Sequence, residues 1–188
     1  MYRDYTMAPP TRTPRSTWIE TGLLALADGG PDSLRVDRLA KSLGVTRGSF
    51  YSHFKSRGDL LDAVLDDWEQ TATDEVLQQV EKSGGDPMVK ARRAGELTFS
   101  AELLPVDLAI RDWSRRDPKV ADRLRRVDNK RMEYLRRQFA EAYDDDGEVE
   151  ALAVLAFSLL IGNYFLAADH GSRSRAEVME LAAKKLLG

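Results

Sequence analysis

LAKSLGVTRGSFYSHF, residues 39–54, is the stretch whose reading decides the fold. Its pattern predicts two short helices, about 36–43 and about 46–54, that cross at a tight corner. Gly44 breaks the first helix and supplies the positive φ that such a corner requires. Ala40 is small where the second helix passes over. Leu39, Leu43, Val45 and Phe50 are expected to face a shared core. Thr46 is expected to cap the second helix through its hydroxyl. The rest of that helix is small or polar: Arg47, Gly48, Ser49, Tyr51, Ser52 and His53. Two short helices around a glycine turn form a helix-turn-helix. The second helix of such a unit can enter the major groove of duplex DNA, which is wide enough to admit it.

Charge around this stretch supports the reading. Arg35, Arg38, Lys41, Arg47, Lys55 and Arg57 face only Asp37 between positions 33 and 58, a local excess of five positive charges in a chain of net charge −3. Neutralising phosphates needs a concentration of this kind. The helix starts at Thr46 and Ser56 also offer free backbone N–H groups to phosphates. The 188 residues suffice for one domain or two small ones. A 43% hydrophobic content excludes a disordered chain, and the absence of cysteine excludes a disulfide scaffold, a thiolate metal site and a cysteine nucleophile.

Outward from the centre, helices dominate and the fold class is all-α. Residues 1–13, with Pro9, Pro10, Arg3 and Arg12, read as a flexible arm. Glu20 within the would-be apolar core excludes a signal peptide. Thr13-Pro14 reads as an N-cap followed by proline at the first position of a helix reaching about 28, which buries Ile19, Leu23 and Leu26. Ser56-Arg57-Gly58-Asp59 is a capping box with Asp in place of Glu. It opens a long helix, about 56–82, expected to connect a helix-turn-helix domain (14–58) to a C-terminal helical bundle (59–188). Later helices are predicted at about 87–104, after Pro105, at 118–139, at 148–168 and at 174–187. Residues 151–168 carry no charge, but Ser158, Gly162 and Asn163 interrupt them and the flanks are acidic. A helix buried in a core or between subunits is the better reading, with no membrane partner and a cytoplasmic location.

The segment 18–68 resembles the DNA-binding domain of the TetR family of bacterial repressors. The resemblance is carried by LA…LGVT.GSFY.HF, residues 39–54, and by Asp59-Leu60-Leu61. It implies a homodimer, paired through 148–168 and 174–187, that presents one recognition helix per subunit to each half of a near-palindromic double-stranded operator. It implies a small-molecule effector in the C-terminal bundle that moves the fourth helix. It further implies that Arg47 and Ser49 read base edges and that Gly48 permits close approach to the groove. Tyr51 and His53 fall on phosphate-binding positions, Ser52 faces the groove, and Arg57 matches a basic position at the start of the fourth helix. Arg35 stands where Ser or Thr is common and can itself reach a phosphate. Asp37 is placed to orient an arginine. Taken without the resemblance, His53 also reads as a structural histidine and Tyr51 as a residue packed on the first helix.

Trp68, Phe99, Leu103, Ile110, Trp113, Tyr134 and Asn163 are expected to line the effector pocket, since small-molecule pockets are mostly apolar. The basic run 119–137 reads as a solvated helix face. Asp144-Asp145-Asp146 lacks the alternating ligands of a calcium loop and reads as a helix end followed by an N-cap. No phosphate loop, nucleophile elbow or metal-spaced histidine pair is present, so neither a cofactor nor an enzymatic role is expected. The other reading left open is a helical small-molecule-binding protein or enzyme that retains the N-terminal module only for structure.

Overall fold

The computed structural model describes residues 13–187, so nearly all of the expected N-terminal arm lies outside the described residues. They form helices α1 (Arg15–Gly29), α2 (Val36–Ser42), α3 (Arg47–Tyr51), α4 (Arg57–Glu69), α5 (Val76–Ser83), α6 (Pro87–Thr98), α7 (Leu104–Ser114), α8 (Pro118–Ala140), α9 (Asp146–Phe165) and α10 (Arg175–Leu187). A single 3₁₀ turn, Pro31–Ser33, follows α1, and a π-helical segment, Gln70–Glu75, separates α4 from α5. The described residues contain no strand. The chain divides into two compact units after Asp67, inside the helix expected to connect them.

In the N-terminal unit, α1 to α3 and most of α4 enclose an apolar centre. Trp18, Leu26, Leu34, Phe50, Leu60 and Val64 are fully buried. The Phe50 ring meets Trp18 edge-on at 5.3 Å and stacks on Phe54 at 5.2 Å, geometries that aromatic pairs favour. Ile19 and Leu26 are buried as expected, whereas Leu23 is half-buried and the largest core side chain of this unit is Trp18. Leu39 and Phe50 are buried; Leu43 and Val45 are only partly so.

Several helix limits differ from the sequence reading. Helix α1 begins at Arg15 with Pro14 itself at the N-cap, not Thr13. The locked φ of proline suits either position, and Pro14 takes extended geometry here. Helix α3 ends at Tyr51, three residues short of the expected limit. The long helix predicted over 56–82 is interrupted by the π segment at 70–75, which apolar spacing alone does not reveal. Helix α6 stops at Thr98, and Pro105 lies in the first turn of α7 instead of separating the helices, a position where its missing N–H costs nothing.

The caps that do form explain the other limits. The Ser56 hydroxyl accepts from Asp59 N–H at 3.1 Å, and the Asp59 carboxylate accepts from Lys55 N–H at 2.9 Å. These hydrogen bonds hold the Asp59 carboxyl below its usual pKa, the Ser56 contact contributing most. Asp86 and Asp117 cap α6 and α8, and Asp145 caps α9, so the acidic run is a helix start as read. Ser174 and Glu177 form a full capping box at α10. At the other end of α9, Arg175 donates to the carbonyl of Asn163, one of the groups a helix end leaves orphaned, and to that of Ala168 in the following loop.

In the C-terminal unit, α8 packs against α6, α7 and α9. Leu135, Phe139, Val149 and Ala153 form one core cluster, and Val80, Ala94 and Tyr134 another. Helix α9 is long and apolar enough to cross a membrane by length and composition. Within one chain it fully buries only Val149 and Ala153, so of the two covers expected, a core or a second subunit, its own core covers it only in part. Val154, Leu155, Phe165 and Leu166 stay exposed, as does Leu181 on α10.

Close packing in the N-terminal unit depends on Gly22, where an added Cβ would lie 2.8 Å from Val64 Cγ2. Gly22→Val is expected to destabilise the protein by about 1–3 kcal/mol, the usual cost of overpacking. Urea denaturation checks this, with no loss of stability as the contrary result.

Candidate nucleic-acid interface

Helix α3 has five residues, too few to hold itself by backbone bonds alone. The chain turns into it at Gly44, whose φ of 66° is left-handed. Val45 N–H donates to Ala40 O at 2.9 Å and ties the corner to α2. Thr46 occupies the N-cap with extended geometry, and its carbonyl accepts from Ser49 N–H at 3.0 Å. Its hydroxyl makes no capping bond, contrary to the expectation from sequence. With Phe50 as the anchor, the opposite side of α3 faces outward: Arg47, Gly48, Tyr51 and Ser52 are exposed, and Ser49 and His53 are half-exposed. Arg35, Arg38, Lys41 and Lys55 are exposed as well.

Arg47 and Asp37 meet across the corner, Nε to Oδ1 at 3.0 Å. Both side chains are more than half exposed, so the pair adds little to stability. It fixes direction instead. Nε is turned to Asp37, and the guanidinium also bonds the Tyr51 side chain. A hydrogen bond with Tyr51, and then the charge of Asp37, hold the Arg47 pKa above its ordinary value.

Other expected site residues have partners inside the unit. His53 Nε2 lies 2.8 Å from Thr13 O and ties the chain before α1 to the end of the recognition segment. Arg57 Nε donates to Leu34 O at 2.7 Å and its Nη2 to Pro31 O, bracing the start of α4 against the 3₁₀ turn. Ser52 Oγ donates to Ser49 O at 2.7 Å. Arg35 stands at the N-cap of α2 without a side-chain cap.

Gly48 has no structural need to be glycine. Its φ is not positive, and an added Cβ would meet only Thr46 Oγ1, at an ordinary 3.5 Å. A helical glycine costs about 0.5–1 kcal/mol against alanine. The fold gains nothing in return, and a bare backbone on an exposed basic face suits close approach by another molecule.

The seven residues expected to line a pocket are not brought together. Phe99 and Tyr134 border one cavity of about 20 Å³, shared with Leu77, Arg131, Phe157 and Leu160. Trp68, Ile110 and Trp113 are buried elsewhere in the unit, and Leu103 and Asn163 are half-buried. A wider cleft of about 610 Å³, bordered by Met88, Leu159, Met179 and Ala183, contains none of the seven.

What sequence reading missed is a buried ionic cluster on α7 and α8. Arg111 donates to Asp107 at 2.7 Å and, through both terminal nitrogens, to Asp128 at 2.7 and 2.8 Å. Arg131 donates to Asp107 at 2.8 Å. Burial works against the Arg111 charge, but its bonds to Asp128 and the two nearby carboxylates outweigh burial and raise its pKa. The spacings Asp107–Arg111 and Asp128–Arg131 are ordinary helical charge pairs, so the only signal was a pair of common patterns. The remaining basic residues of 119–137 mostly form surface pairs, including Arg126 with Glu69 and Lys130 with Asp74, as a solvated face would. No cluster of metal-ligating side chains occurs among the described residues.

Comparison with known proteins agrees with this geometry. Residues 19–64 match the sequence model of bacterial regulatory proteins of the tetR family. The HTH-type transcriptional regulator AcrR of Shigella flexneri is 31% identical over 70 residues, which is 37% of this chain and only 33% of that protein. A regulator of the TetR/AcrR family from Thermobifida fusca YX-ER1 has the same fold: TM-score 0.64, 21% identity, covering 92% of this chain and 96% of the other. AibR, solved in complex with isovaleryl coenzyme A and operator DNA, aligns at TM-score 0.66 and 15% identity, covering 92% and 97%. The helix-turn-helix segment thus resembles the tetR family of bacterial regulatory proteins in sequence, and the whole chain has the fold of TetR/AcrR-family regulators.

Proposed function

We propose that this regulator acts as a repressor: a homodimer that binds a near-palindromic operator and is released by a small-molecule effector. One observation carries the DNA-binding part. An exposed, polar, basic face is held on α3 by a buried aromatic anchor, with a glycine at its centre that the fold does not require. Lys and Arg around it supply phosphate neutralisation. Arg47 reads a base edge, Ser49 stands beside it, and Gly48 lets the backbone approach the groove wall. Asp37 is a positioning residue: it takes Arg47 Nε, and once the Tyr51 bond is exchanged for DNA the terminal nitrogens reach guanine O6 and N7. Thr46 and Tyr51 contribute phosphate contacts, with Arg35, Ser52, His53 and Arg57 around them. The bonds that His53 and Arg57 make inside the unit orient them for this second task.

The dimer forms through α9 and α10. Large apolar side chains left exposed together usually mark an interface, and Val154, Leu155, Phe165, Leu166 and Leu181 are such a set. Two recognition helices then meet half-sites about one helical turn apart, ~34–36 Å. Effector and operator favour different dimer states, and linkage makes each weaken the other by the same factor. AibR, of the same fold, was captured with both an acyl-coenzyme A and its operator. The place of action is the cytoplasm, and no catalytic role is assigned.

Selecting bound sequences from random DNA tests the whole reading, and recovery of no preferred sequence would sink it. With the selected operator, Arg47→Ala is expected to relax preference at one or two base pairs, at a cost of about 1–3 kcal/mol. Asp37→Asn should relax the same positions while tightening binding to random DNA, because a negative charge is lost. Unchanged preference in both variants removes Arg47 from base reading. Gly48→Ala should leave thermal stability equal or higher by up to about 1 kcal/mol and yet weaken operator binding; equal operator affinity removes the close approach. Leu155→Lys should shift sedimentation from dimer to monomer, since it buries an unpaired charge. A dimer that survives this substitution has its interface elsewhere.

A further inference from the structure

Four buried polar atoms of the C-terminal unit have no hydrogen-bond partner among the described residues: Trp68 Nε1, Thr73 Oγ1, Arg131 Nε and Asn163 Oδ1. Three of them belong to groups that carry a hydrogen to donate. Arg131 is 4% exposed and lines the cavity of about 20 Å³. Of the side chains around that cavity, it alone contributes an unpartnered buried polar atom. Two other polar side chains border the cavity: Thr98, and Tyr134, whose hydroxyl donates to Glu81 at 2.8 Å.

The surroundings define what this donor can accept. The guanidinium sits 5.8 Å from the centre of the Phe99 ring, and Phe99 lies 6.3 Å from Phe157. Apart from the Thr98 and Tyr134 hydroxyls, apolar and aromatic walls surround this unpartnered N–H. Charge in the cluster is already balanced, with two guanidinium groups, Arg111 and Arg131, against two carboxylates, Asp107 and Asp128. A carboxylate or an ammonium brought into this site would upset that balance. A buried charge without a counterpart costs far more than one hydrogen bond returns.

Arg131 also touches the backbone. Its Nη2 donates to Ala72 O at 3.3 Å, within the π segment 70–75. Single π turns inside α-helices occur often at functional sites. Because the guanidinium is rigid and planar, a guest on Nε bears directly on the bond to Ala72.

We propose that Arg131 Nε anchors an uncharged, chiefly apolar molecule with one carbonyl oxygen, held between Phe99 and Phe157. The site opens as the half-buried Leu160 and Phe157 turn outward, since the present volume is close to that of one water. This assignment rests on the effector-responsive reading above and names the chemistry of its effector.

Arginine Nε–Hε resonances of the ¹⁵N-labelled full chain test it, with the Arg131 signal assigned through its contacts to the Phe99 ring. Three probes share one ring and differ in charge: acetophenone, benzoate and benzylamine. Acetophenone is expected to move the Arg131 signal saturably, binding at least about tenfold tighter than the two charged probes, given the cost of an unpaired buried charge. No saturable shift with acetophenone, or equal or tighter binding of benzoate or benzylamine, overturns the proposal. A gel-shift assay with the selected operator separates the two claims. A shifted Arg131 signal with unchanged operator affinity upholds the site and counts against its use as an effector site. Release of the operator by acetophenone without that shift upholds the effector reading and overturns the site.

Discussion

The burial of Phe50 is the contact on which the N-terminal unit turns. A five-residue helix has no stability of its own, so α3 takes its position from one ring wedged against Trp18 and Phe54. Rotation about that anchor would turn Arg47 and Tyr51 away from solvent and bring polar atoms into a core without partners for them. The outward face of α3 is thus specified negatively as well: its side chains are outside because nothing inside can satisfy them. The corner at Gly44 and the bond from Val45 N–H to Ala40 O then set the angle between α2 and α3, and that angle brings Asp37 within reach of Arg47.

The C-terminal unit is organised on a different principle. Its centre is not uniformly apolar but holds two arginines and two aspartates on adjacent helices. Such a cluster gains little net stability over apolar packing. It does impose register, because α7 and α8 can pair all four groups in only one relative placement. The lock lies beside the π segment, to which Arg131 bonds at Ala72 O. By contrast, α9 packs one side on α8 and leaves Val154, Leu155 and Phe165 exposed within a single chain.

Particular residues show how much was legible in advance. The helix-turn-helix could be read because its determinants are local: Gly44 at a corner, Phe50 at the right spacing from Leu39, and basic residues clustered within a few turns. The caps at Ser56 and in the acidic run at Asp145 were legible for the same reason, since a cap is a relation between residues three apart, whereas the box at Ser174 emerged only in the structure. Thr46 shows the limit of this logic. The residue type was right for a cap, but backbone geometry alone served and the hydroxyl was not used.

By itself, the amino-acid sequence determined the all-α class, the helix-turn-helix and the sign of the charge around it, because these depend on spacing and composition over a few helical turns. Only the tertiary structure decided that Arg57 braces a turn, that His53 holds Thr13, that a π segment interrupts the long helix, and that Asp107, Arg111, Asp128 and Arg131 form one buried cluster. Each of these relations joins groups distant along the chain or turns on one extra residue in a helical turn. Helical periodicity carries no information about which of two faces meets which neighbour; packing alone supplies it.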